Sequence, residues 1–132
     1  IYETKENSSQ EETDLLCNGL KSNQEEKTTG LDPITRFAIL ARNQEGKILG
    51  GIKGVTYYGC LYVDILWVNK EYRNQRVGTN LINKAEQMGR ERGCTFSTLL
   101  TMSFEAPDFY KKMGYSVEYV REGYQQGHKA FF

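Results

Sequence analysis

Arg73, Arg76, Gly78 and Thr79 stand in one short polar turn, RNQRVGT, between the apolar run LYVDILWV and an amphipathic segment. Residue types at this spacing suit a phosphorylated ligand. The first four or so N–H groups of a helix lack intrahelical acceptors, and its dipole adds roughly half a positive charge there. A pyrophosphate fits such an end. The two arginines add side-chain cation, Gly78 admits close backbone approach, and Thr79 offers a hydroxyl. Two other phosphate turns do not fit these letters. A Walker A loop needs a lysine directly after its second glycine, and a dinucleotide fingerprint needs three glycines where this turn has only Gly78.

The elements that must position this turn follow from hydrophobic period and turn residues. Ser8 and Ser9 can cap a helix over residues 10–23 with the stripe Leu15, Leu16 and Leu20, and residues 22–30 read as a loop or a frayed helix end. Residues 34–42 and 47–58 are two strands joined by Asn43-Gln44-Glu45-Gly46. Gly50, Gly51 and Gly54 mark a bulge or a close approach in the second. Gly59 turns the chain into a strand over 60–68. A helix over 77–92 shows Leu81, Ile82, Ala85 and Met88 on one face and stops at Gly93. A buried strand over 96–101, a short helix over 105–113 and a strand pair over 115–121 and 128–132 complete the chain. Both ends read as incomplete: residues 1–4 as the tail of a first strand, and whatever follows Phe132 as the continuation of a last one. The whole is a single α/β domain over residues 1–132 with a mixed sheet.

Two segments resemble the GNAT family of N-acetyltransferases. That family's signature is a strand ending Leu-x-Val, a polar link, then Arg/Gln-x-x-Gly-x-Gly/Ala opening a helix. The chain has Leu66-Trp67-Val68, NKEY, then Arg73-Asn74-Gln75-Arg76-Val77-Gly78. Downstream, Ala106-Pro107-Asp108-Phe109-Tyr110-Lys111-Lys112-Met113-Gly114-Tyr115 is similar to the family's Ala-x-x-x-Tyr-x-x-x-Gly-Phe/Tyr helix and turn. Two positions depart: Arg76 stands where the family often has glycine, and Ser103 where it often has asparagine.

The resemblance implies a mostly antiparallel central sheet with helices on both faces, splayed into a V-shaped cleft between the strand over 60–68 and the parallel strand over 96–101. Acetyl-CoA is the implied cosubstrate. Its pyrophosphate would lie on Arg73, Asn74, Gln75, Arg76, Val77, Gly78 and Thr79. Its pantetheine arm would run beside Leu66, Trp67 and Val68, with main-chain groups of Leu66 and Val68 pairing with its amides and Ser103 and Tyr110 nearby. The implied reaction is direct attack of a primary amine, a tetrahedral intermediate stabilised by a main-chain N–H, and protonation of the departing CoA thiolate. Tyr110 occupies the family's general-acid position. Asp64 is the first candidate for the base, since alternation sets it on one strand face with Tyr62 and Leu66. Glu105 is the second, and either carboxylate could instead be solvated or salt-bridged.

Tyr57, Tyr58, Tyr62, Trp67 and Tyr124, with Asp64, Glu105, Glu118 and Glu122, are placed near the acceptor cleft by the same resemblance. Aromatic faces and carboxylates suit a cationic amine, on a small molecule or a peptide; they also suit ordinary strand pairing. The 132 residues carry 17 basic and 17 acidic side chains. That zero balance argues against a nucleic-acid or membrane-surface binder, and no apolar run approaches the ~20 residues of a membrane span. A cytoplasmic protein is expected, with a homodimer left open. Cys17, Cys60 and Cys94 lack paired spacing and are expected to be buried thiols. With His128 the sole histidine, no metal site or nucleophilic dyad is expected. The alternative reading is a catalytically silent acyl-CoA-binding or interaction module, which would keep the Arg73 turn but need no Tyr110.

Overall fold

The computed structural model describes residues 1–132. Two compact units partition it, Ile1–Leu31 and Asp32–Phe132. In the first, α1 (Gln10–Gln24) starts on a reciprocal cap: Ser9 Oγ accepts from the Glu12 N–H, and Glu12 returns its carboxylate to the Ser9 N–H. This satisfies two donors that a bare helix end would leave free. Residues 1–4 form no strand, in contrast to the expectation. Cys17 lies exposed on α1, so burial holds for Cys60 and only in part for Cys94.

The second unit is built on β1 (Thr35–Arg42), β2 (Ile48–Tyr57), β3 (Cys60–Val68) and β4 (Phe96–Leu99), in that spatial order. The first three form an antiparallel meander, and β4 joins β3 in parallel. Between β3 and β4 runs α2 (Val77–Glu91), which buries Leu81, Ile82, Ala85 and Gly89. Leu81, Ile82 and Ala85 pack in one core with Phe37, Ile52, Leu61, Val63 and Leu99. A second, three-stranded sheet has β7 (Ala130–Phe131) between β5 (Thr101–Met102) and β6 (Val120–Arg121), and in the chain α3 (Pro107–Lys112) lies between β5 and β6. No helix is long and apolar enough to cross a membrane.

Two expectations about strands are corrected. The strand expected over 96–101 breaks at Leu100, its first part pairing with β3 and its second with β7. It is also only partly buried, Phe96 being 57% exposed. The strand expected over 115–121 shrinks to Val120–Arg121, because residues 115–117 find no ladder partner.

The glycines of β2 mark a bulge. The register passes from Lys53↔Ile65 to Gly54↔Val63, leaving Asp64 as the extra residue on β3. A Cβ on Gly54 would sit 2.0 Å from the Tyr62 carbonyl oxygen, so no side chain fits there. The bulge reverses the parity of β3. Leu61 and Val63 face the core before it, and Leu66 and Val68 pack on the same core after it.

Candidate active site

β3 and β4 pair only from Cys60↔Phe96 to Val63↔Leu99. Beyond Val63 the two strands part, which leaves the edge of β3 from Asp64 to Val68 open. Which main-chain groups face that opening follows from the other ladder. The Asn69 N–H donates to the Leu49 carbonyl at 2.8 Å, and Trp67 lies opposite Gly51 two residues earlier. Hydrogen-bonded pairs alternate in an antiparallel ladder. Trp67 therefore turns its main chain into the sheet, whereas Leu66 and Val68 turn theirs toward the opening. The Trp67 indole is 49% exposed. Val68 gives its carbonyl to Arg73 Nε at 3.2 Å, which folds that arginine against the strand end.

From β3 the chain enters a 3-10 turn, Lys70–Tyr72, where Asn69 Oδ1 accepts from the Glu71 N–H. Asn74 and Arg76 then take the left-handed conformation, each with φ 64°. For a side chain other than glycine this costs about 1–2 kcal/mol. It also explains what a glycine at position 76 would relieve. Arg76 is the N-cap of α2 and makes no side-chain capping bond, and the first turn holds no acid. The first helical bond is Asn80 N–H to Arg76 C=O at 2.9 Å. The N–H groups of Val77, Gly78 and Thr79 consequently have no acceptor in the helix. An anion is the ligand such an end suits. Gln75 reaches back toward the Glu71 carbonyl at 3.5 Å.

Tyr110 sits on α3 among aromatic rings, with Phe109 at 5.3 Å and Tyr115 at 5.8 Å between centroids, both edge-on. Burial, helped by the nearby Glu105 charge, pushes its phenol up to about 12. Tyr110 is thus protonated throughout the neutral range. Glu105 is held by the Met102 N–H, which donates to Oε1 at 2.8 Å. Of the two carboxylates expected as base, Glu105 is the one whose charge bears on the Tyr110 phenol. Asp64 is exposed on the bulge, and the bulge removes Leu66 from its strand face, contrary to the alternation argument.

Other expected site residues have partners of their own. Tyr57 and Tyr58 stack edge-on at 5.5 Å in the β2–β3 hairpin, at the end of β3 still paired with β4 and away from the opening. Glu122 pairs with Lys129 at 3.2 Å. The Ser103 hydroxyl is occupied: it accepts from the Lys129 N–H at 3.1 Å and meets His128 Nδ1 at 3.2 Å. It stitches the loop before α3 to the start of β7. One contact was not foreseen. The Ser97 and Tyr115 hydroxyls lie 2.6 Å apart, tying β4 to the residues after α3; no short-range pattern signals a pair so far apart in sequence.

A cavity of about 570 Å³ lies on the other edge of β4, lined in part by Ser97, Leu99, Tyr110 and Glu118. It does not include Leu66, Val68 or the Arg73 turn, so it is distinct from the opening between β3 and β4.

Comparison with known proteins agrees with this geometry. The model of the Acetyltransferase (GNAT) family matches residues 5–115. Blasticidin-S acetyltransferase of Streptomyces morookaense is 38% identical over 84 residues, which cover 63% of this chain and 62% of that protein. The chain thus spans less than two thirds of that relative's length. An acetyltransferase from Bacillus cereus ATCC 14579, solved by crystallography, superposes with a TM-score of 0.84 at 32% identity, over 98% of this chain and 94% of that one. A protein of Bacillus anthracis str. Ames, provisionally identified as a streptothricin acetyltransferase and solved in complex with acetyl coenzyme A, shares the fold. Its TM-score is 0.66 at 24% identity, over 76% of this chain and 61% of that one. The strand, the uncapped helix and the family match converge, and the chain belongs to the acetyltransferase (GNAT) family.

Proposed function

We propose that this protein transfers the acetyl group of acetyl-CoA to a primary amine on a small cationic molecule. The single observation that carries the reading is the bare N-terminus of α2. It has three free N–H groups, no capping side chain and no acid in its first turn, and it opens directly beyond the unpaired edge of β3. Arg73 and Arg76 add cation at the same place.

In this reading acetyl-CoA supplies an activated thioester, and the protein supplies position, a fixed dipole and proton management. The amides of Val77, Gly78 and Thr79 hold the pyrophosphate. Leu66 and Val68 offer main-chain groups to the pantetheine amides, and an N–H at this strand end stabilises the charge that develops on the carbonyl oxygen, an effect typically worth ~3 kcal/mol. The amine nitrogen forms a bond to the carbonyl carbon, the C–S bond breaks, and Tyr110 gives its proton to the departing sulfur. The desolvation that keeps the Tyr110 proton in place also raises the basicity of a thiolate beside it. Glu105, near Tyr110, or Asp64, reached through water, takes the proton the amine must shed. A small-molecule amine is favoured over a peptide by the likeness to blasticidin-S acetyltransferase.

Calorimetric titration with acetyl-CoA, then thiol release against a panel of amines that includes blasticidin S and short peptides, tests the reading. Saturable binding with release on a small amine supports it. Binding without release on any amine favours a silent module, and no binding sinks the assignment of the α2 end.

A further inference from the structure

Tyr110 and Tyr115 are joined twice. α3 ends in a left-handed cap: Gly114 takes φ 95°, its N–H donates to the Lys111 carbonyl at 3.1 Å, and the Tyr115 N–H donates to the Tyr110 carbonyl at 3.0 Å. Such a cap pairs the second residue past it with the third residue before it and brings their side chains together. The two rings meet edge-on, 5.8 Å between centroids. A side chain at position 114 would be strained at that φ, so the glycine is what lets Tyr115 return onto Tyr110.

The far end of the Tyr115 side chain is held by a different element. Its hydroxyl lies 2.6 Å from Ser97 Oγ in a part-buried place, a short hydrogen bond of fixed geometry. Ser97 belongs to β4 and lies opposite Leu61, inside the stretch where β3 and β4 stay paired. The Tyr115 ring therefore packs on Tyr110 while its hydroxyl registers the position of β4. α3 itself supplies little of this placement. It has six residues, none fully buried, and no side-chain cap at its start, and a helix so short is not stable by itself. Phe109, which lies against Gly78 and edge-on to Tyr110 at 5.3 Å, anchors it to α2.

We propose that Tyr115 is a positioning residue for the transfer: tied to Ser97 through its hydroxyl, it holds the Tyr110 ring in place relative to the β3–β4 pair from which the opening diverges. The inference rests on the acid role proposed for Tyr110. The motif that carries Tyr110 takes either Phe or Tyr at position 115, so the turn and the packing need only a ring. The hydroxyl is an addition, and Ser97 supplies its partner. Proton delivery to a departing sulfur depends on the distance and angle of the phenol, and a misplacement of about 1 Å can cost ~100-fold. A tie that limits the swing of the ring acts on kcat rather than on cofactor affinity.

The test compares the unaltered protein with Ser97→Ala, Tyr115→Phe, the double variant, and Ser97→Thr, which keeps the hydroxyl on a side chain that suits a strand. One readout is steady-state kinetics with acetyl-CoA and the amine that gives the fastest thiol release. The other is the flip rate of the Tyr110 ring in the free protein, from aromatic NMR relaxation dispersion. Loss of either hydroxyl should lower kcat roughly tenfold, leave the KM for acetyl-CoA within about twofold, and speed the ring flip roughly tenfold. The double variant should match the single ones, because one bond is lost only once, and Ser97→Thr should behave as the unaltered protein. An unchanged flip rate in both Ser97→Ala and Tyr115→Phe overturns the proposal, with or without turnover. So does a kcat that stays at its full level, a parallel rise in KM that Ser97→Thr does not reverse, or single losses that multiply in the double variant. Absence of thiol release by the unaltered protein on every amine would instead sink the acid role of Tyr110, and the ring-flip comparison would still decide whether Tyr115 positions that ring.

Discussion

Gly78 and Phe109 are in contact across the site: a Cβ built on Gly78 would lie 3.3 Å from Phe109 Cζ and 3.7 Å from a Val68 methyl. The glycine of the proposed cofactor turn is also the point where α2 meets α3, one residue before Tyr110. The end of β3, the proposed phosphate turn and the helix that carries Tyr110 therefore share one packing contact.

Gly78→Ala should accordingly separate stability from turnover. Alanine gains up to ~1 kcal/mol of helix propensity, which offsets the squeeze on Phe109. Chemical denaturation should show a change within about 1 kcal/mol, while turnover falls several-fold more than stability accounts for. Full turnover in the variant would mean that Phe109 yields without moving Tyr110.

Arg76→Gly removes a left-handed side chain with φ 64°. Relief of ~1–2 kcal/mol is opposed by the extra freedom glycine gives the unfolded chain, about 0.4–1 kcal/mol. Stability should hold or rise slightly. Acetyl-CoA affinity should fall, and its dependence on salt should weaken, because one cation near the pyrophosphate is gone. A clear loss of stability would show that the guanidinium makes a contact more valuable than the strain.

Tyr110→Phe keeps the ring packing and deletes the proton. Turnover should drop by ~10²-fold or more with acetyl-CoA binding retained. Glu105→Gln should lower the Tyr110 phenol from about 12, because the nearby negative charge helps raise it; ultraviolet titration of the phenolate reads this. An unchanged titration would show that burial alone sets the value. Since the folded phenol lies above its unfolded value of ~10, its contribution to stability is complete below about pH 10. It is lost as pH rises through about 12.

Asp64→Asn tests the water-mediated route to the base. If Asp64 takes the amine proton, the rate should fall most at low pH, where the amine depends most on assistance. A uniform rate across pH in this variant, with a low-pH loss in Glu105→Gln, would assign the role to Glu105.

Local pattern was enough to read the meander, α2 and the polar turn between β3 and α2. Turn residues at Asn43 and Gly46, the 3.6-residue stripe Leu81, Ile82 and Ala85, and an apolar strand running into a bare helix start are short-range signals, and each maps onto an observed element. The position of Tyr110 was legible for a different reason, the spacing of a family motif. What the sequence could not show depends on pairing at a distance. The bulge at Asp64 leaves no room for a side chain on Gly54, opposite the Tyr62 carbonyl, and it changes which residues of β3 share a face. The capture of the Ser103 hydroxyl by residues 128 and 129 likewise follows from strand register. Periodicity fixes what each segment is; only the register between segments, set by close backbone contacts far apart in the chain, decides which side chains meet.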